Sequence, residues 1–138
     1  MRSRPRIPPN CDLALGLRCV AKPEPGVTEW EMPADERFAN PAGTIQGGVL
    51  GALADSAMAG STVTWAAARG WRVWAANTDL KVSFLRPAAA AGVLRCSAKV
   101  VSGGRRVVFV EAEVTDDDGR PVARASSTYL LSPREASG

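Results

Sequence analysis

The segment from residue 40 to residue 68 constrains the fold most, because it contains one charged side chain, Asp55, among small and apolar neighbours. Burying an ionised carboxylate without a partner is costly in free energy. Carboxylates in such surroundings are often functional, since burial and specific partners adjust an acid or base for chemistry. The alternative is a structural carboxylate, hydrogen-bonded to Ser or Thr of a neighbouring element. Asp55 is the leading candidate for a functional residue.

The same segment predicts a long buried helix. The helix is expected to begin near Gly47 and to run to about Arg69, where Gly70 can end it. Residues 45–68 are apolar enough to raise the question of a membrane span. However, the central Asp55, several glycines and several Ser and Thr favour a buried helix of a soluble domain, so no membrane association is predicted.

The segments around this helix alternate polar and apolar residues as strands do. One strand is predicted at residues 26–32, and four follow the helix, at 73–86, 92–102, 105–115 and 120–131. Glycine-rich and Asp-rich turns separate the later strands and predict antiparallel pairing in a meander. The resulting fold class is α+β, with one long helix laid in a curved antiparallel sheet. The edges of such a sheet favour pairing with a second copy of the chain.

The length of 138 residues is sufficient for one domain with a core. We predict a loose N-terminal arm, rich in Arg and Pro, over residues 1–12 and a single domain over residues 13–138. The arm has no apolar stretch, so no secretory signal is expected. Three cysteines without CxxC spacing argue against a disulfide framework. They suit a reducing compartment, and a cytoplasmic location is therefore expected.

The chain contains no histidine. Ser-His-Asp and Cys-His catalysis need an imidazole base, and the common catalytic zinc sites need histidine ligands. We therefore predict no metal and no cofactor. The net charge of +3 is small and the basic residues are scattered along the sequence, so nucleic acid is not expected as a partner. A polyanionic small ligand fits this charge as well as no ligand does.

Three residues at the predicted helix start, Gln46, Gly47 and Gly48, have the features of an oxyanion hole. Free backbone N–H groups at a helix start attract negative charge, and glycine lets a carbonyl group approach the backbone closely. The alternative is that both glycines only allow tight packing. Asn40, a few residues upstream, is suited to hold a water or a carbonyl; its alternative is a turn residue before Pro41.

The spacing between Gly47 and Asp55 constrains any site that uses both. Eight residues of helix separate them by about 12 Å along the axis. One reacting carbonyl group cannot touch both residues of the same helix. If both belong to one site, the site combines two copies of the chain whose helices run side by side and antiparallel. The sequence therefore predicts, on that condition, a dimer with two composite sites.

These residues carry a resemblance to a known family. Asn40, the run 43–48, the spacing from Gly47 to Asp55 and the later segment LKVSFLRPA at residues 80–88 resemble the hotdog-fold acyl-CoA thioesterases, most closely the phenylacetate-pathway (PaaI-like) branch. The likeness extends from about residue 26 to residue 131. It implies a hotdog fold, a homodimer and a homotetramer made of two dimers.

The resemblance also implies an activity, the hydrolysis of an aryl- or medium-chain acyl-CoA to free acid and CoA. By position, Asp55 is then the nucleophile or general base and the Gly47 N–H polarises the thioester carbonyl. Asn40 positions water or substrate. Gly48 and Asn77 are expected to contact the substrate; for Asn77, the alternative is a polar strand residue without a role in the site.

Arg86 and Arg105 are expected to meet the phosphates of CoA, because Arg suits phosphate recognition. Solvated charges at strand ends are the alternative for both. Gln46 is the main departure, since the family usually has histidine before the two glycines and an amide cannot become a cation. This departure leaves a second function open, a non-catalytic hotdog protein that binds acyl-CoA or a related ligand. The absence of histidine argues against the hotdog dehydratases and hydratases.

Overall fold

A long helix forms the centre of the protein, as the apolar segment predicts. The computed structural model describes residues 4–135, so residues 1–3 of the predicted arm and residues 136–138 of the predicted domain lie outside the described part. Helix α2 spans Gly47–Ala67. Gly70 follows with a φ of +75°, a left-handed conformation that suits the chain reversal after a helix. No helix among residues 4–135 has the length and apolar character needed to cross a membrane.

One side of α2 packs on a sheet and the other remains open. Leu50, Leu53 and Met58 are among the α2 residues buried against the sheet. We call the other side the open face; along it lie Gly48, Ala52, Ala59, Val63 and Ala67, with Asp55 at its border with the sheet. Val63 is 46% exposed on this face. Because the helix is apolar nearly all round, its open face is suited to cover by a further element.

The sheet has seven strands and wraps α2 from one side. Its strands are β1 (Arg18–Glu24), β2 (Val27–Pro33), β3 (Val73–Asn77), β4 (Lys81–Phe84), β5 (Val93–Gly103), β6 (Val107–Thr115) and β7 (Pro121–Pro133). They lie in the order β1-β2-β5-β6-β7-β3. Strand β4 pairs with the same edge of β7 as β3 does, but with an earlier part of that strand. Every pairing is antiparallel. This arrangement confirms the predicted α+β hotdog architecture.

The inner face of the sheet supplies the core, and the alternation read from the sequence is confirmed in β5 and β6. Its buried residues include Leu94, Cys96 and Ala98 of β5 and Val108, Val110, Ala112 and Val114 of β6. Cys96 is 2% exposed, and burial raises the pKa of its thiol to about 12. The thiol is therefore protonated near neutral pH and acts as a small apolar core residue.

The prediction of one strand over residues 73–86 is wrong, because two strands form there. β3 and β4 both pair with β7, and residues 78–80 interrupt them. The cause is Asp79, whose carboxylate accepts a 2.8 Å hydrogen bond from the N–H of Thr128 on β7. A side chain thus takes the place of a strand carbonyl. The predicted four-strand meander shrinks to β5, β6 and β7, and β3 returns to the far side of β7.

The N-terminal segment reaches α2 through a short helix, α1, at Asn10–Leu15. Residues 10–12 of the predicted arm are thus helical. Asp12 is 4% exposed, and its carboxylate accepts a 2.8 Å hydrogen bond from Ser56 of α2. Gly16 ends α1 in a left-handed conformation with φ +74°. The chain between the arm and β2 is therefore divided between α1 and β1.

Candidate active site

Asp55 lies in the middle of α2, and two donors hold its carboxylate. Oδ1 accepts a 2.9 Å hydrogen bond from the hydroxyl of Tyr129 and a 3.0 Å hydrogen bond from Nδ2 of Asn77. Oδ2 accepts no hydrogen bond from any described residue. One carboxylate oxygen is thus fixed by the protein, while the other keeps its lone pairs for chemistry.

The two donors come from neighbouring strands. Asn77 of β3 and Tyr129 of β7 are directly opposite each other in the sheet, so both face α2. Nδ2 of Asn77 also donates to Oγ of Ser127 at 3.2 Å. The hydroxyl of Ser127 donates in turn to the carbonyl of Asp79 at 2.6 Å. This series of bonds fixes the orientation of the Asn77 amide, which a carboxylate positioned for reaction requires.

Tyr129 stays a hydrogen-bond donor over the working pH range. Burial raises the pKa of its hydroxyl, and the negative charge of Asp55 and the hydrogen bond to it raise this pKa further. The proton therefore remains on the tyrosine oxygen at any pH near neutrality. The hydroxyl also lies 3.1 Å from the backbone carbonyl of Asp55, which keeps it at this turn of the helix.

Sequence reasoning found Asn77 and missed Tyr129. Asn77 was predicted to contact substrate, and in the structure it contacts the carboxylate. A signal for Tyr129 is nonetheless present, because this is the sole tyrosine of the chain and it shares a strand face with Ala125, Ser127 and Leu131. A tyrosine hydroxyl on a buried strand face needs a polar partner. Asp55 is the charged residue of the helix that crosses this face.

The start of α2 has two backbone donors without partners. The N–H groups of Gly47 and Gly48 form no hydrogen bond with described residues. A methyl group added to Gly47 would lie 2.9 Å from the ring of Phe84, whereas one added to Gly48 would meet nothing within 4 Å. Gly47 is therefore required for close packing, and Gly48 is open. The exposed Gln46 side chain makes no hydrogen bond to this helix start.

A cleft of about 470 Å³ lies beside this helix start. Among its lining residues are Asn40, Gly47, Phe84 and Arg86. The fold thus brings together three residues that were predicted for the site, Asn40, Gly47 and Arg86, from separate parts of the sequence. The volume is within the range of small-molecule sites.

Asn40 is already used by its own loop. Its Oδ1 accepts from the N–H groups of Ala42 at 3.0 Å and Thr44 at 3.1 Å. Its Nδ2 donates to the hydroxyl of Thr44 at 3.0 Å. These bonds fit the turn-residue alternative, in which an Asn side chain replaces backbone hydrogen bonds in a tight loop. They also hold the Asn40 amide at the edge of the cleft.

Arg105 lies far from this cleft within the same protomer. Its guanidinium stacks over Trp71, 4.9 Å from the ring centroid, just after the end of α2. The 21 residues of α2 span about 30 Å, so Arg86 and Arg105 occupy opposite ends of the helix. Asp55 and the helix start are likewise about 12 Å apart along the axis. One protomer therefore does not bring all the predicted site residues together.

The sequence model of the acyl-CoA thioesterase C-terminal domain family matches residues 9–131, nearly the whole chain. The chain belongs to this family. The resemblance to the acyl-CoA thioesterases and the assignment as a thioester hydrolase are thereby confirmed. Acyl-CoA hydrolysis is favoured over the non-catalytic alternative.

Solved structures similar to this thioesterase agree with the family. A putative thioesterase from Ralstonia eutropha JMP134, a phenylacetic acid degradation-related protein, is 34% identical, with coverage of 88% of this chain and 89% of that chain and a TM-score of 0.77. The PaaI protein of the Escherichia coli phenylacetic acid degradation operon is 22% identical, with 94% and 89% coverage and a TM-score of 0.84.

A hypothetical thioesterase from Streptococcus pneumoniae TIGR4, solved with coenzyme A, is 18% identical, with 87% and 88% coverage and a TM-score of 0.76. At this level of identity, and at that of the PaaI protein, the likeness establishes the shared fold. Among curated proteins, none matches the chain.

Proposed function

We propose that this thioesterase hydrolyses an aryl- or medium-chain acyl-CoA at composite sites in a homodimer. Each site combines Asp55 of one protomer with the α2 start of the other. The observation that carries the proposal is the Asp55 carboxylate, held through Oδ1 by Tyr129 and Asn77, about 12 Å along the helix from the two free N–H groups of Gly47 and Gly48. A second, antiparallel helix supplies the missing half of the site.

Two surfaces support the dimer. The open face of α2 is apolar apart from Asp55 at its border, and among residues 4–135 no element covers it and no strand lies beyond the β3–β4 edge of the sheet. Beside this edge, Leu80, Phe84 and Leu85 are 42%, 57% and 50% exposed. An exposed apolar sheet edge favours pairing with another chain. The assembly of two such dimers into a homotetramer remains a prediction from the family resemblance.

In the proposed reaction, the carbonyl oxygen of the thioester lies against the N–H groups at the α2 start. Negative charge develops on this oxygen when the carbonyl carbon is attacked, and backbone N–H groups at a helix start stabilise such charge. Oδ2 of the partner protomer's carboxylate then acts on the opposite side of the carbonyl. The tetrahedral intermediate collapses, the C–S bond breaks, and a proton passes to the CoA sulfur.

Two routes use the same Oδ2 of Asp55. As a base, it takes a proton from water while the water oxygen bonds to the carbonyl carbon. As a nucleophile, it bonds to the carbonyl carbon and the C–S bond breaks, which gives an acyl–aspartyl anhydride and a CoA thiolate that takes a proton from water; a second water then hydrolyses the anhydride. Turnover in ¹⁸O-labelled water distinguishes them when water attacks the anhydride at the aspartyl carbonyl, because ¹⁸O then enters the Asp55 carboxylate. Mass spectrometry of the peptide that contains Asp55 measures this.

The cleft at the helix start supports an aryl or medium-chain acyl group. Ile45, Leu50, Phe84 and Leu85 line it with apolar side chains, which suits an acyl group that must leave water. Gln46 directly precedes Gly47 of this cleft and has an amide in place of the family's usual histidine. An amide donates and accepts hydrogen bonds without a charge, so Gln46 is suited to orient a carbonyl or a water.

A panel of aryl and aliphatic acyl-CoA substrates, read through release of the thiol, tests the proposal. We expect turnover of at least one aryl- or medium-chain substrate, and a loss of several orders of magnitude for Asp55→Asn with the fold unchanged. Equal activity of Asp55→Asn and the unaltered enzyme would overturn the role of Asp55.

The free thiols of Cys11, Cys19 and Cys96 support a cytoplasmic location, since reducing compartments keep thiols unpaired.

A further inference from the structure

We infer that the enzyme has a phosphate-binding pocket at the C-terminal end of α2, at the far end of the helix from the Gly47 cleft. The pocket encloses about 410 Å³. Four arginines line it: Arg72, Arg105, Arg106 and Arg134. We call it the arginine pocket. Its existence does not depend on the proposed thioester chemistry.

The fold gathers arginines that the sequence disperses. Arg72 precedes β3, Arg105 and Arg106 form the turn between β5 and β6, and Arg134 follows β7. Backbone hydrogen bonds join these segments: Arg134 N–H donates to the Arg72 carbonyl at 2.9 Å, and Leu131 N–H donates to the Arg106 carbonyl at 2.8 Å. The pocket wall is therefore a hydrogen-bonded part of the sheet, which holds the four side chains close together.

Three of the four arginines have no acidic partner in the described part of the chain. No carboxylate among residues 4–135 lines the pocket, and Arg72, Arg105 and Arg106 form no ion pair with any described residue. The net charge of the chain is +3, so without these four positive charges it would be −1. A cleft lined by one sign of charge concentrates the field and attracts ligands of the opposite sign.

Aromatic stacking orders part of this wall. The guanidinium of Arg105 lies 4.9 Å from the centroid of the Trp71 ring, and Trp71 itself lines the pocket. A guanidinium that stacks by its face keeps its N–H donors at its edge, with less rotamer freedom to lose on binding. Guanidinium edges match the paired oxygens of phosphate. The pocket is thus preorganised for a ligand with two or more phosphate groups.

The negative end of the helix dipole does not oppose this ligand directly. Arg69 donates a 3.0 Å hydrogen bond to the carbonyl of Trp65 in the last turn of α2, and its guanidinium also stacks on the Trp65 ring at 3.7 Å. A cation at this position offsets the partial negative charge of the helix end. This offset at the helix end is made by Arg69, which is not one of the arginines that line the pocket.

Two sources supply this chemistry, the phosphates of the substrate's own CoA and a separate nucleotide. From Asp55 to Ala67, the last residue of α2, the helix axis rises about 18 Å, so the CoA source requires the substrate to extend along α2. Pyrophosphate serves as the probe for the pocket itself. Acyl-CoA and the matching acyl-pantetheine, which lacks the nucleotide phosphates, serve to distinguish the sources.

The test variant is Arg72→Gln with Arg106→Gln, because both side chains are exposed and make no hydrogen bond with described residues. The control is Lys22→Gln with Lys99→Gln, which removes the same charge from exposed sites outside the pocket. Calorimetry at low salt should give a pyrophosphate Kd at least ~10-fold weaker for the arginine variant and nearly unchanged for the control.

The KM values of the arginine variant for acyl-CoA and acyl-pantetheine show whether the bound phosphates belong to the substrate or to a separate ligand. A higher KM for acyl-CoA alone assigns the pocket to the substrate's phosphates, and unchanged KM values for both substrates, with weaker pyrophosphate binding, assign it to a separate ligand. The inference is overturned if the unaltered enzyme does not bind pyrophosphate saturably, if both double variants weaken it equally, or if KM rises for acyl-pantetheine as well. Turnover by the unaltered enzyme reports separately on the proposed function.

Discussion

The hydroxyl of Tyr129 donates a 2.9 Å hydrogen bond to Oδ1 of Asp55, which is 74 residues earlier in the sequence. Asn77 donates to the same oxygen. This pairing turns an isolated charge on an apolar helix into a carboxylate with one fixed oxygen and one available oxygen. Hydrogen bonds to a charged acceptor are stronger than those between neutral groups, so the orientation of Asp55 depends on Tyr129.

Tyr129→Phe removes this hydroxyl and keeps the ring. A hydrogen bond to a charged group contributes about 1.5–3 kcal/mol, so we expect kcat to fall by roughly 10- to 100-fold, with KM changing much less. Steady-state kinetics on the best acyl-CoA substrate measures both constants.

The matched control for Tyr129→Phe is Ser126→Ala, which removes a hydroxyl from the exposed face of the same strand. We expect kcat of this control to remain near that of the unaltered enzyme. A kcat for Tyr129→Phe within twofold of the unaltered enzyme would show that Asp55 keeps its orientation without the hydroxyl.

Gly47→Ala and Gly48→Ala form a steric pair at the α2 start. The methyl group at residue 47 meets the Phe84 ring at 2.9 Å, and the one at residue 48 meets nothing within 4 Å. Alanine has the better helix propensity by about 1 kcal/mol, so Gly48→Ala should be as stable as the unaltered enzyme or more stable.

Gly47→Ala should fold, because the exposed Phe84 ring can shift. Its kcat/KM should fall at least ~10-fold, because the displaced ring and the methyl group obstruct the thioester carbonyl. Thermal unfolding and kinetics together test the pair, and equal kcat/KM for Gly47→Ala and the unaltered enzyme would contradict the steric account.

The sequence was sufficient for most of the architecture. The apolar run after Gly47 and the strict alternation in β5 and β6 are strong local signals, because each follows the period of one element over many residues. The break between β3 and β4 could not be read in this way. It depends on Asp79 accepting a hydrogen bond from Thr128, and nothing local to residue 79 shows where β7 will lie.

The site was predictable only in part, for the same reason. Asp55 stands out within its own segment, and the two glycines mark the helix start. Tyr129 and the arginine pocket depend on strand order instead. Arg72, Arg106 and Arg134 are scattered in the sequence and meet because β7 pairs with β3 on one side and with β6 on the other. The basic residues are scattered in the sequence, and the fold brings four of them to one pocket.

Ser56→Ala tests whether α1 is fastened to α2. The change leaves the carboxylate of Asp12, which is 4% exposed, without the hydroxyl that lies 2.8 Å from it. We expect the free energy of unfolding to fall by about 1–3 kcal/mol. Asp12→Ala in the Ser56→Ala background should cost less than Asp12→Ala alone, since contacting residues do not contribute additively. Chemical denaturation of the four proteins measures this coupling, and strictly additive effects would argue against the contact.

Alkaline pH should destabilise the protein partly through Cys96. Burial raises the pKa of this thiol from 9.0 to about 12, so between these values the unfolded chain ionises and the folded chain does not. The contribution is fully present below pH 9 and is lost as the pH rises towards 12, at about 1.4 kcal/mol per pH unit. Cys96→Ala lacks this group, and its stability should therefore approach that of the unaltered protein between pH 8 and pH 10. A constant difference across this range in denaturant titrations would mean that the thiol does not carry the effect.

Mixing two variants with reduced activity, each defective in a different half of the site, tests the composite site. Asp55→Asn lacks the carboxylate, and Gly47→Ala has an obstructed helix start. If each site uses Asp55 of one protomer and Gly47 of the other, a mixed dimer contains one site with both defects and one site with none. Unfolding and refolding an equimolar mixture makes about half of the dimers mixed, so the activity should recover to about one quarter of the unaltered value. Each variant refolded alone is the control. A site built within one protomer predicts no recovery, because every protomer then carries a defect of its own.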